Sequence, residues 1–224
     1  MPSTELSSFL RVAIDIQATP YPGVHVDDGV AAATDGVMLV AKTFSVEFLR
    51  GEGAISPKAA KVLEALAEAT WIGSIEVDGN RVTVTAQTTR YDEHLGAEVA
   101  GEYCEMKLPE FYCPQAPVAR MLGVLHDESR GWQQIVENPR IKNVKEWSVK
   151  EFVALVSNPR EGYELFRLKD IDDEHWYSVG QLRRGLRLFG ARARLSVRRN
   201  AKGWLAFEDA YGHTFAITPF IKQN

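Results

Sequence analysis

SVGQLRRGLRLFGARARLSVRRNAKGWLAFEDAYGHTFAITPF, residues 178–220, carries two hydrophobic periods in succession. Leu182, Leu186 and Phe189 stand three and four residues apart, the spacing of one helical face. Ser178 and Gln181 ahead of them form a capping box, and Gly190 suits the position just past a helix end. Beyond Gly190 the period falls to two: Arg192, Arg194, Ser196 and Arg198 alternate with Ala193, Leu195 and Val197. Asn200 to Gly203 and Tyr211-Gly212 supply turns. The stretch predicts a helix followed by a three-stranded meander, each with an apolar face inward and a basic face outward.

Charge is segregated to match. Between His175 and Phe207 lie eight Lys or Arg residues and no Asp or Glu, in a 224-residue chain of formal net charge −4. Residues 1–140 hold 11 basic and 20 acidic groups, net −9, whereas residues 141–224 hold 15 and 10, net +5. The change of sign predicts an acidic α+β domain over 1–140 and a basic α+β domain over 141–224, divided in the polar stretch ENPRIKNVKE.

Working back from that boundary, short apolar runs with turn formers between them predict strands over 9–50, FLRVAIDI first and Val37 to Leu49 as one long buried strand. Ser56-Pro57 predicts a helix start, with Ala59, Val62, Leu63 and Leu66 at helical spacing behind it. SIEV-DG-NRVTVTA predicts a hairpin with Asp78-Gly79 as a type I′ turn, and 99–113 adds a strand or two broken at Pro109. Pro117 to Glu137 has helical spacing with an interruption at Ser129-Arg130-Gly131. Ser148 to Glu151 is a second capping box, predicting a helix through Val156, and Tyr163 to Leu168 is a short strand or a helical turn. The fold class expected is α+β: an acidic antiparallel-sheet N-terminal unit with packed helices, plus a basic unit of a helix and a three-stranded meander.

Chemistry follows from the basic unit. Arg183, Arg184, Arg187, Arg192, Arg194, Arg198, Arg199 and Lys202 form a positive surface suited to phosphate, because guanidinium binds oxygens in a bidentate way and stays charged. Trp204, with Trp176 and Tyr177, could stack on exposed bases. The residue types favour phosphate over base-edge contacts, so the expectation is a non-enzymatic accessory or regulatory protein that binds DNA or RNA with low sequence specificity. Two alternatives stay open: a protein-interaction or inhibitor module that docks its basic face on an acidic protein, and a metal-dependent nuclease.

Other classes lose support. No Gly-Lys-Ser/Thr phosphate loop, no GxGxxG after a strand and no GxSxG elbow occurs. His25, His94, His126, His175 and His213 are isolated by sequence, none at zinc-ligand spacing. Asp170 to His175 alternates oxygen donors like a calcium loop but has His175 where the turn needs Gly and Gln181 where it needs Glu. No catalytic residue, cofactor or metal ligand is assigned. Cys104 and Cys113, without a secretory signal, read as reduced thiols of a cytoplasmic protein, and no run of roughly 18 apolar residues predicts a membrane span.

Two resemblances accompany these residues. Over about 148–209, the capped helix with Arg183, Arg184 and Arg187 followed by a hairpin carrying Arg198, Arg199 and Lys202 resembles the recognition helix and wing of winged-helix DNA-binding domains. That resemblance implies the helix arginines in the major groove and the hairpin cations in the wing. Thr19-Pro20-Tyr21-Pro22, Ser56-Pro57-Lys58-Ala59 and Arg81-Val82-Thr83-Val84-Thr85 are similar to the N-terminal domain of Nfu-type iron–sulfur scaffold proteins. No CxxC follows, so the cluster ligands are missing and the similarity is confined to a shared α+β pattern.

Overall fold

A computed structural model describes residues 2–16, 21–92, 94–136, 153–158, 163–168, 175–189 and 195–219. Two compact units result, one from Met1–Asp35 and Lys42–Leu122, the other from Gly36–Ala41 and Gly123–Asn224. The first carries 9 basic against 17 acidic residues, net −8, and the second 17 against 13, net +4.

In the first unit Leu6, Phe9, Leu10, Ala13 and Ile16 fall on one helical stripe and are buried, so α1 (Pro2–Asp15) is a helix. This corrects the strand expected over FLRVAIDI: Val12, Ile14 and Ile16 favour strands locally, but packing of the stripe decides. The strands β1 (Val24–Asp27), β2 (Val30–Thr34), β4 (Leu49–Ile55), β5 (Ile72–Gly79), β6 (Arg81–Asp92) and β7 (Ala97–Lys107) lie in the order β7-β6-β5-β4-β1-β2. Neighbours are antiparallel except β4 and β5, which run parallel, a departure from the all-antiparallel expectation. A parallel pair needs a crossover, and α2 (Pro57–Ala69) provides it. Ser56 caps α2 by accepting from the Ala59 amide at 3.2 Å, with Pro57 in the first turn, as expected. Its buried face is Ala59, Ala60, Leu63 and Ala67, while Val62 points outward.

Antiparallel α1 and α2 are tied together by Arg11, which pairs with Glu64 at 3.3 Å and with Glu68. The Ser3 hydroxyl accepts the Ile72 amide at 2.8 Å, fixing the start of α1 to the start of β5. The hairpin β5–β6 forms where expected, but Asp78 pairs with Arg81, so its two-residue turn is Gly79-Asn80. Gly79 has φ +61 and Asn80 is not at positive φ, which is the II′ arrangement with Gly first.

In the second unit β3 (Met38–Thr43, through Ala41), β14 (His213–Ile217), β13 (Leu205–Asp209), β12 (Leu195–Arg199) and β8 (Gln133–Val136) form a sheet in that order. The long strand expected over Val37 to Leu49 is thus two, β3 and β4, broken where Phe44 and Phe48 turn inward and their rings pack at 5.4 Å. A second sheet has the order β11-β10-β9, from β9 (Val153–Asn158), β10 (Tyr163–Leu168) and β11 (Tyr177–Ser178). Gln133–Val136 is strand although helical spacing was expected to Glu137, α3 (Val118–His126) and a 3-10 turn (Glu128–Arg130) ending first. Val153–Asn158 is strand where a helix was expected, its β-branched residues pairing with β10; Ser148 and Glu151 lie outside the described residues. The meander β12–β13–β14 forms as expected, with Leu195, Val197, Leu205, Phe207, Phe215 and Ile217 buried.

Candidate nucleic-acid interface

Ser178 stands at the N-cap of α4 (Val179–Leu186) with φ −74 and ψ 123, and its hydroxyl accepts the Gln181 amide at 3.3 Å. Val179, Leu182 and Leu186 turn inward onto β14, β10 and β11, leaving Arg183, Arg184 and Arg187 exposed. Gly185 is the contact point: a Cβ there would stand 2.1 Å from Cε2 of Phe215. Arg183 and Arg184 occupy the last turn and Arg187 the C-cap, where the carbonyl ends of the peptide dipoles favour positive charge. An anion at this end would therefore be held by side chains, since backbone amides point toward the other terminus.

The β12–β13 turn is built on Asn200, which is buried and whose Oδ1 accepts the amides of Lys202 and Trp204, both at 2.9 Å. Gly203, at φ +79, closes it, and its carbonyl accepts the buried Tyr177 hydroxyl. Lys202 is exposed at the tip and Trp204 half-buried behind it. Tyr177, named beside Trp204 as a stacking residue, is 0% exposed and belongs to the core.

Arg198 and Arg199 are half-buried on β12. Arg198 pairs with Glu208 across the hairpin at 2.5 Å and lies over the Trp132 ring at 5.4 Å, so its charge is largely engaged within the fold. Neither partner was visible from the alternation of β12, because Glu208 is ten residues away and Trp132 lies just ahead of β8, far off in the sequence. Arg192 and Arg194 fall outside the described residues. The structure thus brings together Arg183, Arg184 and Arg187 on one helix, and Arg198, Arg199, Lys202 and Trp204 on one hairpin.

A second local organiser is Asp209, whose Oδ1 accepts the amides of Tyr211 at 2.9 Å and His213 at 3.0 Å, and whose Oδ2 faces His213 Nδ1 at 2.9 Å. Burial by itself would push the Asp209 carboxyl up, but the hydrogen bonds and charge of His213 with the Tyr211 amide outweigh it and hold the carboxyl below its ordinary range. This pair closes the β13–β14 turn. Among the described residues no group of three His, Cys, Asp or Glu side chains is placed to hold a metal ion. No described helix is long and apolar enough to cross a membrane.

No protein-family model matches the sequence, and comparison with curated proteins finds no match. Solved structures do match in fold. The DNA polymerase sliding clamp from Bacillus subtilis superposes with a TM-score of 0.53 at 14% identity, covering 99% of this chain and 63% of that one. The C. crescentus beta sliding clamp gives 0.52 at 12% over 98% and 64%, and PCNA from Thermococcus kodakaraensis gives 0.53 at 16% over 97% of both chains. The chain therefore spans just under two thirds of the length of those bacterial clamp chains and nearly all of the archaeal one. These neighbours correct the winged-helix expectation. A wing is a hairpin free to reach a groove, whereas β12 and β13 are interior strands, flanked by β8 and β14.

Proposed function

We propose that this protein is a non-enzymatic accessory of DNA metabolism, sliding-clamp-like in fold, that contacts nucleic-acid phosphates through α4 and the β12–β13 turn and recruits a protein partner. The observation carrying this reading is the concentration of positive charge in one unit of a clamp-like chain. The unit of net +4 displays Arg183, Arg184, Arg187 and Lys202, while the other has net −8. Contacts of this kind read backbone charge and not base sequence, which suits a protein that must hold DNA without choosing a site.

Assembly has support of its own. Strand β7 is the terminal strand of its sheet, 11 residues long and paired only with β6 among the described residues. Such an edge is a template for a strand of a second copy.

The test is fluorescence-anisotropy titration of labelled single- and double-stranded DNA and RNA by the full chain across a salt series. Log K should fall linearly with log salt, and Arg183→Ala with Arg187→Ala should lower the slope by about two, one for each phosphate no longer neutralised. Unchanged affinity and slope in that variant would remove the α4 surface from the reading. No binding at low salt would turn the same surface toward an acidic protein partner.

A further inference from the structure

Residues 108–117, LPEFYCPQAP, run from β7 to α3 with neither helix nor strand, and prolines at 109, 114 and 117 deny the segment a regular ladder. Its ends are fixed. The Leu108 amide donates to the Val82 carbonyl at 2.9 Å, and the Pro117 carbonyl accepts the Met121 amide at 3.2 Å in the first turn of α3. Between them Arg81 pairs with Glu110 at 3.5 Å, and Lys58 Nζ lies 4.9 Å from the centre of the Phe111 ring. Asn80 Nδ2 donates to the Cys113 carbonyl at 2.9 Å, and the Cys113 thiol donates to the Pro22 carbonyl. Tyr112 is 86% exposed and Cys113 1%, so the segment is a single layer over its seat.

The last anchor is a histidine. The Ala116 amide donates to His25 Nδ1 at 3.1 Å, while Nε2 donates to the Tyr21 carbonyl at 3.3 Å. A proton added at Nδ1 places two donors face to face, so the ring takes it up only if the Ala116 amide withdraws. His25 itself is not free to withdraw, because β1 is laddered on both sides, to β2 at Ala32 and to β4 at Ala54. Nor is the Ala116 amide free to rotate aside: Pro117 confines the residue before it to extended geometry, and Pro114 has little freedom of its own. The segment therefore moves as one piece.

The surroundings favour the charged ring once it is uncovered. At its own level β2 and β4 offer only alanine, the segment offers the Cys113 thiol, and Tyr21 presents its ring edge-on at 6.3 Å. Asp27, two residues along β1 on the same face, and Glu52 opposite it are exposed, as is Arg120 on α3. Two carboxylates and open water stabilise an imidazolium that the closed segment would bury. We infer that residues 108–117 are an acid-released strap: protonation of His25 at Nδ1 expels the Ala116 amide, and the strap lifts while the sheet beneath it stays folded. Burial keeps the pKa of the closed ring low, whereas an uncovered ring returns towards about 6.5, so below that pH each opening takes up a proton and the open fraction grows.

The strap lies in the first unit and does not depend on the function proposed for the second. The experiment labels the full chain with N-ethylmaleimide from about pH 7.5 to about pH 5 and follows both thiols by peptide mass. Cys104, exposed throughout, corrects for the thiolate fraction, so the ratio of the Cys113 rate to the Cys104 rate reads strap opening. That ratio should rise about tenfold per pH unit below about pH 6.5, with circular dichroism unchanged. In His25→Gln it should be independent of pH. His25→Asn, which keeps an oxygen near the place of Nδ1, should behave likewise and covers the case in which the glutamine variant folds poorly. Asn80→Ala removes an anchor that does not titrate and should raise the ratio roughly fivefold at every pH, leaving its slope intact. A flat ratio in the parent, an undiminished slope in both His25 variants, a parental ratio in Asn80→Ala, or circular dichroism lost in step with Cys113 labelling would overturn the proposal.

Discussion

His25 is 0% exposed on β1, with Nδ1 accepting the Ala116 amide at 3.1 Å and Nε2 facing the Tyr21 carbonyl at 3.3 Å. That pattern requires the neutral ring with its proton on Nε2. Burial lowers its pKa, and the Tyr21 carbonyl only partly opposes the shift. Above about pH 6.5 the ring is neutral in both states; below it the unfolded chain takes up a proton that the folded one resists, so stability falls with pH. His25→Gln should cost about 1–3 kcal/mol at neutral pH, by leaving the Ala116 amide poorly satisfied, yet show a shallower loss of melting temperature from about pH 7.5 to about pH 5. Parallel melting profiles for the two proteins would show that His25 is not the group responsible.

Nearby, Cys113 is 1% exposed, its thiol donates to the Pro22 carbonyl, and burial raises its pKa, whereas Cys104 on β7 is exposed. A maleimide should therefore label one thiol per chain in the native protein and a second only in denaturant. Fast labelling of both would mean that the 108–117 segment lifts from its seat.

At the scale of elements, glycine positions separate local propensity from packing. In an exposed helix, Gly→Ala gains about 1 kcal/mol. Gly185→Ala should lose stability instead, because the new Cβ meets three atoms of Phe215 at 2.1–2.3 Å. Phe215 is fully buried and stacked on Phe207 at 5.3 Å, so it has nowhere to go. Overpacking costs of about 1–3 kcal/mol would win, measured as a lower midpoint in urea unfolding; a higher midpoint would show that Phe215 yields. The parallel β4–β5 pair has the same requirement, since a Cβ on Gly51 or Gly53 would stand 2.1 Å and 2.0 Å from the carbonyl oxygens of Val77 and Gly79.

Elements with a local signal were readable: the Ser56 and Ser178 caps, the β5–β6 hairpin and the three-stranded meander each rest on residues within a few positions of one another. The hairpin turn was misplaced by one residue because Asp78-Gly79 and Gly79-Asn80 are both turn-forming dipeptides, and cross-strand register chooses between them. The exchanged assignments, helix for strand at 9–15 and strand for helix at 153–156, are short apolar runs whose period fits either state.

For the molecule as a whole, the outer edge of β7, unpaired among the described residues, is the feature with the largest consequence. The Leu108 amide donates to the Val82 carbonyl opposite it, so the amides of Lys107 and Glu105, one and three residues back, point away from β6. Glu105→Pro therefore removes an outward donor while sparing the ladder. If β7 joins copies of the chain, sedimentation at rising concentration should show self-association in the parent protein and a weakened form in Glu105→Pro. A parent that sediments as a monomer throughout would leave β7 without that role. Salt should act unequally on the two proposed surfaces of the chain: it weakens DNA at α4 by counterion competition, yet changes strand pairing at the edge far less.

Composition and local spacing alone settled the α+β class, the caps and the meander, because each depends on neighbours in the chain. They could not show that α2 crosses between parallel strands, that β12 and β13 are interior strands, or that Arg198 is engaged by Trp132 and Glu208. Those facts are set by contacts between residues far apart in sequence, whose pairing depends on the burial of whole faces and so is decided only when the chain packs.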